Sequence, residues 1–162
     1  MTNTNSGLLD AFSVLICQNS RFIQKLAFGE MSDTGLNMSH VVCLRIIDLN
    51  TGGVPARVLC ETTGYDKALV SRMLSVLSDK GYITRNPSDT SLRRGYRYIL
   101  TDIGSAFIER INKFFSDLSG ALVEDVPDDE IKNFYRTAAL LTDKLRAMSE
   151  MCSKPTVNDT EV

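Results

Sequence analysis

Residues 68–84 read ALVSRMLSVLSDKGYIT, and at helical spacing they carry two different faces. Val70, Met73, Leu74 and Leu77 make one face apolar. The other face carries small or basic side chains, namely Lys67, Ala68, Ser71, Arg72, Ser75 and Ser78. Small side chains let a helix backbone approach a surface closely, and two cations near the helix start suit a phosphate backbone. This face predicts a helix that enters the major groove of DNA, with an ordinary exposed helix face as the alternative.

The distribution of charge supports contact with a polyanion. The net charge of the 162 residues is only -2, but residues 66–97 carry 7 basic and 3 acidic side chains, which is +4. The segment before them, residues 1–65, is -1, and the segment after them, residues 98–162, is -5. A basic middle between acidic ends favours a local footprint for DNA, with a solvated charged loop as the alternative.

Composition argues against several classes of protein. The longest apolar runs are broken by a charge well before the roughly 18 to 20 residues that a membrane span needs, and the N-terminus lacks the basic region of an export signal. We therefore expect a cytoplasmic protein without a membrane partner. The 4 cysteines form no CxxC pair and there is 1 histidine, so no metal site is predicted. The chain shows neither a Gly-rich phosphate loop nor a nucleophile elbow, so we expect no catalytic site, no cofactor and no enzyme.

The pattern of apolar residues predicts the elements that would hold this helix in place. A first helix is predicted over Leu8–Leu26, and a second, mostly apolar helix is predicted from residue 38 to the NTGG breaker. Pro55 fits the first turn of a short third helix. Asp66 is a good N-cap for the fourth helix, and Gly81 is a typical stop signal after it.

Two short β-type runs follow the fourth helix. YITR and YRYILT flank the polar segment NPSDTSLRRG, which reads as a two-stranded hairpin with a long basic tip. Thr101 is expected to cap a long fifth helix, and a sixth helix carries an apolar stripe as far as Met148. The composition of residues 149–162 indicates a disordered tail.

This order of elements resembles the MarR family of winged helix-turn-helix transcriptional regulators over Leu8–Met148. The densest similarity is DKALVSRMLSVLSDKGYITRNPSDTSLRRGYRYILTDIG, residues 66–104. It has a recognition helix ending in L..KG, a strand ending in arginine, a wing similar to D..DRR and an LT..G pattern opening the next helix. Leu92 departs from the pattern, since the family usually has an aspartate before the wing arginines.

The resemblance implies a mainly α fold with a small β-hairpin wing. Residues 38–100 would form the winged helix-turn-helix DNA-binding domain, and residues 8–28 and 101–148 would form a helical dimerisation region. The large apolar stripes of the terminal helices agree with a homodimer, because a self-complementary contact between two chains would bury them. An intramolecular helical hairpin is the alternative.

The resemblance also implies a function, which is sequence-specific binding of double-stranded DNA by a homodimer that acts as a repressor. Its operator is expected to be pseudo-palindromic. Arg97 is open to two interpretations, as a phosphate contact or as a surface ion-pair partner. The candidate DNA-binding residues are Lys67, Ala68, Ser71, Arg72 and Ser75 of the recognition helix, Arg85 after the first strand, Arg93 and Arg94 in the wing, and Arg97.

Release from DNA by a small-molecule effector is a further implication of the resemblance. Many members of the family bind an aromatic carboxylate or a phenolic compound between the dimer helices and the DNA-binding lobe. The candidate effector residues are Phe12, Cys17, Arg21 and His40. Arg21 could pair with a carboxylate, although a surface salt bridge explains it equally well. A structural histidine is the alternative for His40.

Two other functions stay open. One branch of the family senses peroxides through a cysteine in the first helix; in an ungapped match that cysteine falls near Ser13, one turn before Cys17. A thiol-based redox-sensing regulator is therefore one alternative, although buried apolar thiols are the commoner explanation of such cysteines. The other alternative is a winged-helix protein-interaction module without DNA binding, which the acidic net charge allows and the basic wing opposes.

Overall fold

The computed structural model of the chain describes residues 7–86 and 96–152. It is mostly helical with one small antiparallel sheet, which confirms the predicted fold class. The chain divides into two compact units, residues 1–114 and 115–162. The elements in chain order are α1 (Leu8–Met31), α2 (Met38–Asp48), β1 (Val54–Pro55), α3 (Ala56–Thr63), α4 (Lys67–Asp79), β2 (Ile83–Arg85), β3 (Arg97–Leu100), α5 (Asp102–Val123) and α6 (Asp128–Cys152).

Helix α4 begins and ends where the sequence predicts. The carboxylate of Asp66 accepts a hydrogen bond from the backbone N–H of Leu69 at 2.8 Å, which caps the first turn. Gly81 has φ of 77°, a left-handed conformation that favours glycine. The backbone N–H of Tyr82 then donates to the carbonyl of Leu77 at 2.9 Å and closes the helix end. The predicted apolar face is buried, and its members are Val70, Met73, Leu74 and Leu77.

Helix α2 provides the centre of the core of residues 1–114. Asn37 caps it by accepting from the N–H groups of Ser39 and His40 at 3.0 and 3.2 Å. Its side chains are buried at Val41, Cys43, Leu44 and Ile47. The sequence predicts this central position, because the helix is apolar on most sides.

The sheet has three strands in the order β1-β3-β2, one more than the predicted hairpin. Val54 pairs with Tyr98, and Pro55 pairs with Arg97. Pro55 has an extended backbone, with φ -76° and ψ 152°, and it is the N-cap residue of α3 instead of lying in the first turn. An edge strand accommodates proline because its missing N–H is not needed for pairing.

The start of α5 explains the LT..G pattern in physical terms. The hydroxyl of Thr101 accepts from the N–H of Gly104 at 3.1 Å, which confirms the predicted cap, and donates to the carbonyl of Gly81 at 2.5 Å. A Cβ atom at Gly104 would lie 2.0 Å from the carbonyl oxygen of Tyr82. Only glycine therefore allows this approach, which packs Phe107 against the ring of Tyr82 at 5.2 Å between centroids.

Helix α1 is longer than predicted and buries little of its own surface. It extends to Met31 instead of ending near Leu26, and its buried residues are Ala27 and Met31. The exposed large apolar side chains of α1 are Leu8, Leu9, Val14, Leu15, Ile16, Phe22, Ile23, Leu26 and Phe28.

Helix α6 likewise exposes apolar residues. Phe134 is 64% exposed and Tyr135 is 68% exposed, and no residue of the helix is buried. The helix continues through residues 149–152, so the tail predicted for residues 149–162 was wrong for these four positions. Residues 153–162 lie outside the part that the structure describes. None of the helices described is both long and apolar enough to cross a membrane.

Candidate nucleic-acid interface

The face of α4 opposite the core is exposed along its whole length. Within the described residues, neither Lys67 nor Arg72 makes an ion pair. Both cations are therefore available to an external anion, and the small neighbours between them let a surface approach the helix backbone. The exposed members of this face are Lys67, Ala68, Ser71, Arg72 and Ser75.

An open groove of about 390 Å³ separates this face from the sheet. Lys67, Ser71 and Ser75 line it from α4, whereas Arg85 and Tyr98 line it from strands β2 and β3. Asp79, at the end of α4, also lines the groove, and its carboxylate accepts from the hydroxyl of Ser75 at 3.5 Å. The groove thus has a cation at each wall and one carboxylate.

Arg85 belongs to this surface and is held there by an aromatic ring. Its guanidinium carbon lies 3.8 Å from the centroid of the Tyr96 ring, a close cation–π distance. The sequence pointed to Arg85 as the last residue of a strand. It gave no indication of Tyr96, because the contact depends on how the two strands pair.

Arg97 has a role that the sequence did not suggest. Its Nε donates to the carbonyl of Gly52 at 2.8 Å, and its Nη2 donates to the carbonyl of Gly53 at 2.6 Å. Gly53 has φ of 79°, and a Cβ there would lie 2.9 Å from Cγ2 of Ile99. The two hydrogen bonds of Arg97 therefore hold the turn between α2 and β1 against strand β3. A phosphate contact by Arg97 stays one interpretation, and a structural role alone is the other.

Comparison with known sequences finds a match in this same part of the chain. Residues 34–94 match the sequence profile of the MarR family. The domain that these residues form is similar to that of MarR-family proteins. This match includes α2, β1, α3, α4 and β2, and thus the exposed face of α4 and every described residue that lines the groove except Tyr98 of β3.

Solved structures share the fold at low sequence identity. A structure described as MarR is 24% identical, with a TM-score of 0.69, over 93% of this chain and 99% of that one. A MarR transcriptional regulator from Methanosarcina mazei Go1 is 19% identical, with a TM-score of 0.73, over 86% of this chain and 99% of its own. A MarR/EmrR family transcriptional regulator from Acinetobacter sp. ADP1 is 20% identical, with a TM-score of 0.70, over 84% and 94% of the two chains. The fold of this chain is that of a MarR-type winged helix.

In the MarR-type fold α4 stands where the recognition helix is expected, and β2 and β3 are the strands of the wing. The wing arginines Arg93 and Arg94, and the departing residue Leu92, lie outside the described residues. Their DNA contacts stay predictions. Asn86 and Tyr96 are the described residues that border this part of the wing on either side.

His40 contributes to the N-terminal cap of α2. It is buried in the first turn of α2, where its Nδ1 accepts the backbone N–H of Asn37 at 3.1 Å. Asn37 caps the same turn in return, so the two residues form a reciprocal capping box. Burial, followed by the nearby positive charge of Lys80, lowers the pKa of His40 below its usual 6.5. The neutral ring with an unprotonated Nδ1 is the form that makes this bond.

The other effector candidates are spread along α1. Cys17 and Arg21 are exposed, and Phe12 is half-buried. A groove of about 350 Å³ lies between α1 and α2, but its lining contains none of the four candidates. Its walls include Ile16, Ile23, Gln24, Met38, Val42 and Tyr65. The helical spacing of Ile16 and Ile23 could have pointed to this wall, whereas nothing local in the sequence brings Tyr65 to it.

The cysteines differ in their environments. Burial, followed by the neighbouring Cys60, raises the pKa of the Cys43 thiol to about 11. Such a thiol is almost entirely protonated at neutral pH and is therefore a poor nucleophile. Cys17 and Cys152 are exposed, and all four cysteines are free thiols.

Proposed function

We propose that this chain is a sequence-specific transcriptional regulator that binds double-stranded DNA as a homodimer, represses, and is released by a small-molecule effector. The proposal rests on the exposed face of α4, which carries small and basic side chains. It rests also on the adjacent groove, which Arg85 lines from β2. Neither a catalytic step nor a cofactor is part of it.

The groove suits the path of a DNA strand. When a helix occupies a major groove and a hairpin reaches the adjacent minor groove, one sugar-phosphate strand must pass between them. In this chain the space between α4 and the wing strands is the 390 Å³ groove, with Lys67 on one wall and Arg85 on the other. Cationic walls favour the anionic strand through direct contact and release of counterions.

Different residues of the interface are expected to do different things. Ser71 and Arg72 face outward from the middle of α4 and would contact base edges, because serine and arginine can hydrogen-bond there. Lys67 and Arg85 border the groove and would hold phosphates, which sets the position of the helix but carries no sequence information. Ala68 and Ser75 let the helix backbone approach the DNA closely. Arg93 and Arg94 would reach the minor groove from the wing tip.

The homodimer is supported by the apolar residues that the single chain leaves exposed. Helix α1 exposes nine large apolar side chains, among them Leu8, Leu15 and Phe22. Helix α6 exposes Phe134, Tyr135 and other large side chains without burying any residue. Contiguous exposed apolar surface is typical of an interface, and a second copy of the chain would bury it symmetrically.

The effector is proposed to be a small aromatic acid or phenol that binds beside α1 and α2. The groove there is mainly apolar, with polar groups from Gln24, Ser39 and Tyr65 in its lining. Arg21, exposed on α1, is the nearby candidate for a carboxylate. A ligand that binds the released form more tightly lowers DNA affinity by the difference between its affinities for the two forms. Thiol sensing is the second candidate, favoured by the exposure of Cys17.

Selection of DNA from a random pool tests the proposal. The wild-type protein should enrich a pseudo-palindrome whose half-sites lie about one helical turn apart, roughly 34 to 36 Å. Sedimentation of the free protein should give twice the mass of one chain. A protein that enriches no sequence, or a stable monomer that binds DNA specifically at micromolar concentration, would contradict it.

A further inference from the structure

Arg85 and Tyr96 form a stacked pair at the root of the wing. Arg85 is the last residue of β2 and lies opposite Tyr98 of β3. Tyr96 immediately precedes β3 and lies two residues before Tyr98, and side chains two residues apart in extended backbone lie on the same side. A long side chain can reach such a diagonal neighbour, and the 3.8 Å separation shows that it does. The stack is therefore a consequence of the strand register.

Stacking holds the guanidinium without using its hydrogen-bond donors. The five N–H groups of an arginine point outward in the plane of the guanidinium, whereas the ring of Tyr96 covers one face of that plane. Among the described residues, the side chain of Arg85 makes neither a hydrogen bond nor an ion pair. Arg97 differs, because two of its nitrogens already bind backbone carbonyls. Within the described part of the chain, the side-chain donors of Arg85 are therefore available to a ligand in the groove.

A carboxylate in the same groove competes for Arg85. Asp79 lines the groove together with Arg85, and no ion pair joins these two residues. An arginine without its aromatic support would be able to turn toward Asp79 and form such a pair. Its charge would then be neutralised on the protein instead of being presented to DNA. The Tyr96 ring opposes this rearrangement.

We propose that Tyr96 is a positioning residue for DNA binding. Its ring holds the Arg85 guanidinium on the groove wall, with the N–H edges free for the phosphate strand that passes between α4 and the wing. A side chain that is already ordered loses less conformational entropy when it binds. This inference rests on the proposed DNA binding and adds to it a residue outside the predicted interface.

The test compares two substitutions of Tyr96 on a duplex that the wild-type protein selects from a random pool. Tyr96→Phe keeps the aromatic face and should bind like the wild type. Tyr96→Leu keeps apolar bulk without that face and should weaken binding about two- to fivefold, the size expected for an exposed cation–π contact. The side chain of Tyr96 is 44% exposed, so neither substitution removes a core residue.

Two further sets of variants distinguish positioning of Arg85 by Tyr96 from direct contact between Tyr96 and DNA. Arg85→Ala should lower the dependence of log affinity on log salt concentration by about 1, as the loss of one phosphate contact does. Adding Tyr96→Leu to Arg85→Ala should produce no further loss. Adding Asp79→Asn to Tyr96→Leu should restore part of the lost affinity, because the competing carboxylate is gone.

A readout without DNA completes the test. The Nε–H proton of Arg85 should show an aromatic ring-current shift by NMR in the wild type and in Tyr96→Phe, and the shift should vanish in Tyr96→Leu. Equal weakening by Tyr96→Leu with and without Arg85, or unchanged affinity once the ring-current shift is lost, would overturn the inference alone. A wild-type protein that selects no DNA would overturn the proposed function as well.

Discussion

The hydroxyl of Tyr65 donates to the hydroxyl oxygen of Ser39 at 3.2 Å, across 26 residues of sequence. Ser39 belongs to the first turn of α2, and Tyr65 immediately precedes Asp66, the cap of α4. Both residues also line the groove between α1 and α2. A ligand in that groove therefore lies beside a bond that leads directly to the start of the proposed recognition helix.

Tyr65→Phe removes this bond and keeps the ring. We expect the free energy of unfolding to fall by about 0.5 to 1.5 kcal/mol, the usual net value of one hydrogen bond, when measured by urea titration. With benzoate or phenol as the probe, Tyr65→Phe should also show a smaller ligand-induced loss of DNA affinity than the wild type. If the ligand lowers the DNA affinity of Tyr65→Phe as much as that of the wild type, the bond between Tyr65 and Ser39 does not couple the groove to α4.

His40 should make the stability of the protein depend on pH. Because its pKa is lowered in the folded chain, the unfolded chain binds the proton first as the pH falls below 6.5. The free energy of unfolding should therefore decrease below pH 6.5, by at most about 1.4 kcal/mol per pH unit. Protonation of Nδ1 would also break its bond to the N–H of Asn37.

The chain has 1 histidine, so an NMR titration of the imidazole is unambiguous. His40→Gln should flatten the dependence between about pH 5.5 and 7.5, because glutamine can complete the same capping box without titrating. A measured pKa of 6.5 or higher for His40 would contradict this explanation.

Two glycines of α5 should respond oppositely to the same substitution. Gly104→Ala places a Cβ 2.0 Å from the Tyr82 carbonyl, and we expect a loss of about 1 to 3 kcal/mol of stability from the forced shift. A Cβ at Gly120 meets no atom within 4 Å, so Gly120→Ala should stabilise the helix by about 0.5 to 1 kcal/mol. Thermal unfolding of both variants measures this. Equal effects would show that the close approach at Tyr82 does not exist.

Arg97→Ala should lower stability without changing the electrostatics of DNA binding. It removes two charge-assisted hydrogen bonds to the turn at Gly52 and Gly53, one exposed and one part-buried, and solvent screening limits the expected loss to about 1 to 2 kcal/mol. The salt dependence of DNA affinity should match that of the wild type. If the slope of log affinity against log salt concentration instead decreases by about 1, Arg97 contacts a phosphate.

Local signals in the sequence predicted the helices well. The helix caps at Asp66 and Thr101 and the helix stop at Gly81 depend on residues only three or four positions away. A local sequence pattern is therefore enough to predict them. The capping box of Asn37 and His40 also has local spacing, but it was missed because the usual partner at that position is glutamate or glutamine.

Contacts between distant segments could not be predicted in this way. Strand β1 has only two residues, Val54 and Pro55, and its existence depends on pairing with β3 more than 40 residues later. Arg97 finds its carbonyl partners 44 and 45 residues away. The stack of Arg85 on Tyr96 requires the register of the hairpin, which a sequence pattern alone does not specify.

The affinity of Arg72→Ala for two duplexes tests the central claim, sequence-specific DNA binding through α4, most directly. On the duplex that the wild type selects, we expect a loss of about 1 to 3 kcal/mol, and on a scrambled duplex of the same length a much smaller loss. Arg136→Ala removes the same charge from α6, outside α4 and its groove, and serves as the matched control; once sedimentation shows that it keeps the oligomeric state of the wild type, it should have wild-type affinity for both. Equal losses by Arg72→Ala on the two duplexes, or losses no larger than those of Arg136→Ala, would contradict the claim.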